Sequence, residues 1–159
     1  MSYPRYRRAR AHRFTKKTSG NTTYNSASWG TLDAALDLSI EAQLGDTIEV
    51  AVSATWGAEA VNCRLDVCTL VAGAPVNYFG GAVEPATGDG VGAWYGKTGE
   101  VSAIGGPAWY TIQAGDLENG RVTLRLRARC DSATLKTIFS NANLPLHVAA
   151  KNLGPADPE

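Results

Sequence analysis

Histidine is nearly missing from this chain of 159 residues: His12 and His147 are the two it has, and no His-x-x-x-His pair occurs. Cysteine is almost as scarce, at three residues with no Cys-x-x-Cys. The usual zinc-ligand spacings and the redox dithiol motif are thereby excluded. The chain also lacks a phosphate-cradling glycine loop ahead of a helix and a Gly-x-Ser-x-Gly elbow. Asp89 lies between Gly88 and Gly90 without the spaced oxygen ligands of a calcium loop. No enzyme active site, cofactor or metal is expected. Long apolar runs are absent too: nothing approaches the roughly 20 residues of a membrane helix, and the basic N-terminus has no apolar leader core. A soluble protein made in a reducing cytoplasm is expected.

The cysteines are odd in number. Cys63 and Cys68 are five apart in one extended run, so their side chains face opposite ways and do not pair readily. A Cys63–Cys130 bridge is geometrically conceivable because both face inward, but small buried free thiols are the commoner state.

What the chain does have is period-two alternation. In GRVTLRLRARC, residues 120–130, Val122, Leu124, Leu126, Ala128 and Cys130 fall on one side and Arg121, Thr123, Arg125, Arg127 and Arg129 on the other, the pattern of a half-buried strand. Ile48, Val50, Val52, Ala54 and Trp56 alternate in the same way after Gly45–Asp46. Leu36, Leu38, Ile40 and Ala42 mark a strand over 36–43, expected to lie beside 47–56. Further strands are read at 61–73, near Ala93–Tyr95, over WYTIQA, and through Leu144, Leu146, Val148 and Ala150. After Asp131, Leu135, Thr137 and Phe139 alternate, though one helical turn is an alternative. Seven or eight strands at this spacing with no long helical pattern give an all-β fold, a two-sheet jelly-roll or Greek-key sandwich. A chain of this length is one such domain.

Three regions are distinguished: a basic extended N-terminal arm at 1–23, a β-sandwich at 24–155 and a short tail at 156–159. The net charge is zero, yet Arg5, Arg7, Arg8, Arg10, Arg13, Lys16 and Lys17 fall within the first seventeen residues, leaving eight basic against fifteen acidic residues beyond them. The arm has too few aliphatic residues to be buried and orders against a partner. Tyr6 and Phe14, interleaved with Arg5, Arg7, Arg8, Arg10, Arg13, Lys16 and Lys17, make it the principal candidate binding segment. Protein–protein tethering is preferred because the body is acidic. Nucleic-acid binding through phosphate neutralisation is the competing reading.

Asp46 and Asp116 each follow glycine and are read as turn residues satisfied by nearby backbone amides. Arg125, Arg127 and Arg129 line one outward face, but Asp37, Glu41 and Glu49 are expected to offset them. The glycine-rich stretch from 79 to 107 reads as long surface connections. Trp94 and Trp109 are expected to be buried anchors; the alternative is a stacking platform for carbohydrate made of Trp94, Tyr95, Trp109 and Tyr110.

Taken in order, Trp29, LDLSIEA, the strand after Gly45–Asp46, Ala93–Trp94, AGDLENGRVTLRLRA and LPLHVAAKNLGP resemble the small β-sandwich domains of tailed-bacteriophage virion proteins over residues 24–155. The resemblance implies a tumour-necrosis-factor-like jelly roll, a homo-oligomer of trimeric type, no catalytic residues, and a place in the virion on capsids, head fibres or tail fibres. With only an arm ahead of the sandwich, a capsid decoration or head-attached protein is the expectation rather than a complete fibre. A coat protein packaging nucleic acid and a host-surface carbohydrate module are the alternatives.

Overall fold

The computed structural model describes residues 11–81, 92–96, 99 and 101–155, without the side chains of Ser102 and Ala103. Along the chain the strands are β1 (Ala11–Lys17), β2 (Thr22–Tyr24), β3 (Gly30–Thr31), β4 (Leu38–Glu41) and β5 (Asp46–Trp56). There follow β6 (Cys63–Val71), β7 (Ala74–Tyr78), β8 (Trp94–Gly96), β9 (Ser102–Ile104) and β10 (Pro107–Thr111). The last three are β11 (Arg121–Cys130), β12 (Lys136–Phe139) and β13 (Leu146–Pro155).

Pairing reduces these to eight long strands, several of them interrupted. β13 and β10 flank β5 over the same residues, so they occupy its two edges. β12 continues the β13 edge and β9 the β10 edge. The first sheet therefore runs from β1 and β2, through β12 and β13, to β5, and ends at β9 and β10. In the second, β11 pairs with β3 and β4 on one side and β6 on the other, and β7 and β8 close the far edge of β6. All pairs are antiparallel. Four strands face four in jelly-roll order.

This topology corrects the expected neighbour relation of 36–43 and 47–56. Leu36, Leu38, Ile40 and Ala42 are all buried, but β4 lies in the second sheet and β5 in the first. Gly45, at φ 85°, turns the chain between the sheets in a conformation open to glycine and costly for other residues. Tight hairpins form instead at Ala72–Gly73, between β6 and β7, and at Asn119–Gly120. Asn119 and Gly120 both have positive φ, and Glu118 and Arg121 exchange backbone hydrogen bonds across the turn, the two-residue type I′ connection that matches strand twist.

Between the sheets lie the alternating residues of β5 and β11 together with Leu65, Val67, Ile112, Ile138, Leu146 and Val148, all buried. Burial of each large aliphatic side chain contributes about 1.5–3 kcal/mol. Trp56 is fully buried, and Gly96 passes so close over its indole that an added Cβ would stand 2.5 Å from the ring. Two expected orientations change. Lys136 and Ile138, not Leu135, Thr137 and Phe139, are the inward residues of β12. Leu144 precedes β13 and is exposed.

The expected arm also changes in part. Ala11–Lys17 is an edge strand whose seven residues pair with β13 from Asn152 to Leu146, and Thr22–Tyr24 pairs with β12. Low aliphatic content does not prevent this, because an edge strand gains its main-chain hydrogen bonds while leaving one face in water. Arg5, Tyr6, Arg7, Arg8, Arg10 and the tail 156–159 lie outside the described residues, as do positions 82–91 of the glycine-rich connection.

Asp116 ties one end of the sandwich together. Fully buried, its carboxylate accepts from Thr69 Oγ1 at 2.6 Å, Asn77 Nδ2 at 2.8 Å, Tyr110 Oη at 2.9 Å and the Gln113 amide at 2.8 Å. Substitution Asp116→Asn puts a donor where four donors converge. The unfolding free energy is expected to fall by about 3 kcal/mol, read as a lower urea midpoint at unchanged m value.

Candidate functional site

The buried acids are structural. Asp46 accepts from the Gln43 amide at 3.0 Å and from Asn152 Nδ2 at 2.7 Å. Asn152 in turn bonds Glu41 O and receives the Gly154 amide. These groups floor a cavity of about 340 Å³ that Ala11, Gln43 and Gly120 also line. Asp66, fully buried, accepts the amides of Val67 and Gly80 at 2.8 and 2.7 Å. Asp46 and Asp116 are turn residues, but each accepts the amide three residues earlier, Gln43 and Gln113, where the amide two residues on was expected, and side-chain donors are added. Among the described residues, no group of three or more His, Cys, Asp and Glu side chains is placed to hold a metal ion.

The arginine row on β11 is likewise engaged. Arg125 makes a two-pronged contact with Asp37, Nε to Oδ1 at 3.0 Å and Nη2 to Oδ2 at 2.6 Å, and this hydrogen-bonded pairing raises the guanidinium pKa further. Arg121 bonds Ser39 and reaches Glu41 at 3.4 Å. Arg129 bonds Ala27 O at 2.7 Å. Arg127 is buried rather than outward, donating to Tyr78 Oη, Thr31 Oγ1 and Trp29 O. Its long stem crosses the sheet surface under Tyr78 and the 29–31 segment, which alternation alone does not reveal. Glu49 lies on the other sheet and faces Lys151 at 3.8 Å, so it has no part in offsetting this row.

The four aromatic candidates divide between two sheets. Trp94 pairs with Leu65 and points inward, buried, with Nε1 donating to Gly106 O at 2.9 Å. Tyr95 follows it outward, 46% exposed beneath the Arg64 guanidinium at 5.6 Å. Tyr110 points inward opposite Ile48 and stacks on Phe79 at 5.1 Å. Burial and the Asp116 carboxylate push its phenol pKa up. Trp109, expected inside, is 54% exposed; its register opposite Glu49 puts it on the outer side, where Nε1 bonds Glu49 Oε2 at 3.0 Å. Tyr95 and Trp109 thus project from opposite faces of the sandwich, and the four rings do not form one platform.

The residues the fold does bring together lie on the outer face of the first sheet. Register places Phe14 beside Ala149, Ala149 beside Ala51, and Ala51 beside Pro107. One row along, His12, Lys151, Glu49 and Trp109 lie side by side; on the other flank are Lys16, His147 and Ser53. Phe14 is 62% exposed, its ring 5.4 Å from that of His147 and 6.3 Å from that of His12. Two exposed aromatic side chains thus stand three strand spacings apart across the sheet, roughly 14 Å, and one row apart along it, beside a floor of small residues. The rim carries Lys16, Lys151 and the two histidines against the one carboxylate of Glu49.

Of the candidate arm residues that are described, Phe14 and Lys16 contribute to this face, and exposed Arg13 donates to its neighbour's carbonyl, His12 O, at 2.9 Å. Lys17 turns away to Asp33 at 2.7 Å, which, with the Ala35 amide, lowers the Asp33 pKa. Thr15 Oγ1 adds a bond to Leu36 O. These contacts clip β1 to the second sheet. Sequence reading found Phe14 and Lys16 as arm residues, but Ala51, Ala149 and Pro107 carry no signal of their own until register makes them neighbours.

The class the fold defines is the eight-stranded antiparallel jelly-roll sandwich. No protein-family model matches the chain, and no curated protein matches it in sequence. Solved structures similar in chain path include infectious bursal disease virus, Gx strain, at 11% identity and TM-score 0.44, covering 93% of this chain and 38% of that one. The Gt strain aligns at 13% identity and TM-score 0.44, over 93% and 39%. The infectious bursal disease virus VP2 subviral particle aligns at 11% and 0.42, over 93% and 39%. The chain spans less than two-fifths of the length of each of these viral chains.

Two outcomes are expected. Trp94→Ala costs about 3–5 kcal/mol of stability, whereas Phe14→Ala and Trp109→Ala each stay within about 1 kcal/mol of the parent, as chemical denaturation will show. The Asp33 clip is pH-dependent. Because its folded-state pKa is depressed, its contribution is complete above the unfolded carboxyl pKa and is lost as pH falls through the lower folded value. Amide protection across Ala11–Lys17, taken relative to the intrinsic exchange rate at each pH, is expected to fall in acid, and Asp33→Asn to reproduce that fall at neutral pH, with less further acid response.

Proposed function

We propose that this chain is a non-enzymatic structural protein of a virion, which docks on other virion subunits or on copies of itself through the outer face of its first sheet. The observation that carries this reading is the row Phe14, Ala149, Ala51 and Pro107 with Trp109 beside it, exposed and rimmed by cations. Small floor residues let a partner approach closely, and half-exposed aromatics are typical anchors of protein interfaces. The cationic rim suits an acidic partner. Beyond its first seventeen residues this chain is itself acidic.

The finer reading is a capsid decoration or head-attached protein that forms trimers and is tethered by its N-terminal segment, where Arg5, Tyr6, Arg7, Arg8 and Arg10 continue the basic character of β1. The ordered resemblance to phage sandwich domains supports the virion setting, and jelly rolls are frequent among shell proteins. Fold alone does not assign the role; the docking face is what gives it a mechanism. With Asp46, Asp66 and Asp116 committed to backbone and side-chain donors, the buried carboxylates serve the fold.

Light-scattering mass and particle binding test the proposal on the full chain, on Phe14→Ala/Trp109→Ala, and on a chain lacking residues 1–10. The full chain is expected to self-associate or bind particles that lack it, the double variant to lose at least tenfold in affinity while remaining folded, and the shortened chain to bind more weakly. Retention of full binding by the folded double variant would overturn the docking face. Salt-reversible copurification with nucleic acid that depends on residues 1–10, without particle binding, would overturn it in favour of genome packaging.

A further inference from the structure

Cys63 and Cys130 occupy a place in the sheet that their free, buried state does not by itself require. They are directly opposed in the β6–β11 register. One rung further, the Asp131 amide bonds Asn62 O, which makes Asp131–Asn62 a hydrogen-bonded pair and Cys130–Cys63 the adjoining non-hydrogen-bonded pair. Consistently, the Cys130 amide points away from β6, to Ser26 O at 2.8 Å. In such pairs the Cα atoms lie about 4.5 Å apart, inside the range that a disulfide spans. Both thiols are fully buried and free; Cys63 Sγ donates to Arg64 O at 3.8 Å and Cys130 Sγ to Tyr24 O at 3.4 Å.

A third group bears on them. Lys136 on β12 is fully buried, its ammonium donating to Glu59 O at 3.3 Å, and its positive charge acts on both sulfurs. The nearness of the two sulfurs splits their titration, Cys130 downward and Cys63 upward; burial, Asp131 and Glu59 oppose the lowering at Cys130, and Lys136 favours it. That direction assigns the attack to Cys130 and the resolution to Cys63. Cys63 is the first residue of β6 and Cys130 the last of β11, at the strand ends where sheets open most readily. Cys68, the third cysteine, pairs with Arg125 in register and lies five residues away on the opposite face of β6.

We propose that Cys63 and Cys130 form a reversible oxidation site, closing to an intramolecular disulfide when the protein meets a peroxide-class oxidant and reopening with dithiol reductants. The Cys130 thiolate attacks one peroxide oxygen, the O–O bond breaks, and hydroxide leaves as Cys130 becomes a sulfenic acid. The Cys63 sulfur then displaces the sulfenic oxygen, which leaves as water with the Cys63 proton. Overall two thiols and one hydrogen peroxide give one disulfide and two waters; both sulfurs are oxidised and both peroxide oxygens reduced. This site is independent of the docking face and of the virion reading.

The test treats the folded full chain with hydrogen peroxide, quenches it, denatures it in N-ethylmaleimide and maps the modified peptides. The expected product is a monomer with Cys63 linked to Cys130, Cys68 fully alkylated, all three thiols recovered after dithiothreitol, and a raised melting temperature. Cys68→Ser is expected to give the same bond at the same rate. Lys136→Met is expected to slow its formation several-fold and move the pH–rate midpoint upward. Three alkylated thiols after exposure that fully oxidises a small dithiol in the same tube would overturn the site, as would a bond through Cys68 or separate sulfinic acids. An unchanged pH–rate profile in folded Lys136→Met would remove the lysine from the proposal.

Discussion

A single buried carboxylate, that of Asp116, holds together segments that lie far apart along the chain. Its donors come from β6, β7, β10 and the turn leading towards β11, so it reaches into both sheets. A buried charge costs several kcal/mol unless its lone pairs are matched, and four donors match them here. The arrangement fixes where the chain leaves β10 and how it enters the hairpin that launches β11. Asp46, with Asn152, performs a related task between β5 and β13. Sheet packing supplies the bulk of the stability, and these carboxylates select which of the possible strand arrangements it stabilises.

The long strands were legible because a half-buried antiparallel strand writes its two faces directly into alternate residues. β5, β11 and β13 do so with almost no exception. What alternation does not carry is sheet membership: the residues of β4 and β5 read as neighbours, but the jelly-roll connection carries one across to the other sheet. Short edge strands such as β1 were missed for a different reason. Their stability comes from main-chain bonds to β13, which leave no apolar mark on the sequence. Arg127 was misplaced because a long cationic side chain reads as surface, while it finds a carbonyl acceptor in the interior, as Lys136 also does.

The aromatic residues show the same limit at the scale of a site. Trp94–Tyr95 and Trp109–Tyr110 look alike in sequence, yet in the first pair the tryptophan is inside and in the second it is outside. A strand must turn one of two adjacent rings to water, and the partner strand's register decides which. The docking face is assembled by that register from β1, β13, β5 and β10, segments separated by most of the chain. Two of its participants, Phe14 and Lys16, were visible as unusual residues in a basic segment. Its small-residue floor became recognisable only once the strands were placed side by side.

The pairing of β1 with β13 has a geometric corollary. Ala11 lies opposite Asn152, and Lys17 opposite Leu146, so the chain enters and leaves the sandwich at one pole, on adjacent strands. Ala11 and Pro155 therefore lie on neighbouring strands next to the cavity floored by Asp46 and Asn152. β5 ends at Trp56 and β11 at Cys130 at the opposite pole. The body thus has two unlike poles, one where the first and last strands begin and end together and one formed by the far ends of β5 and β11.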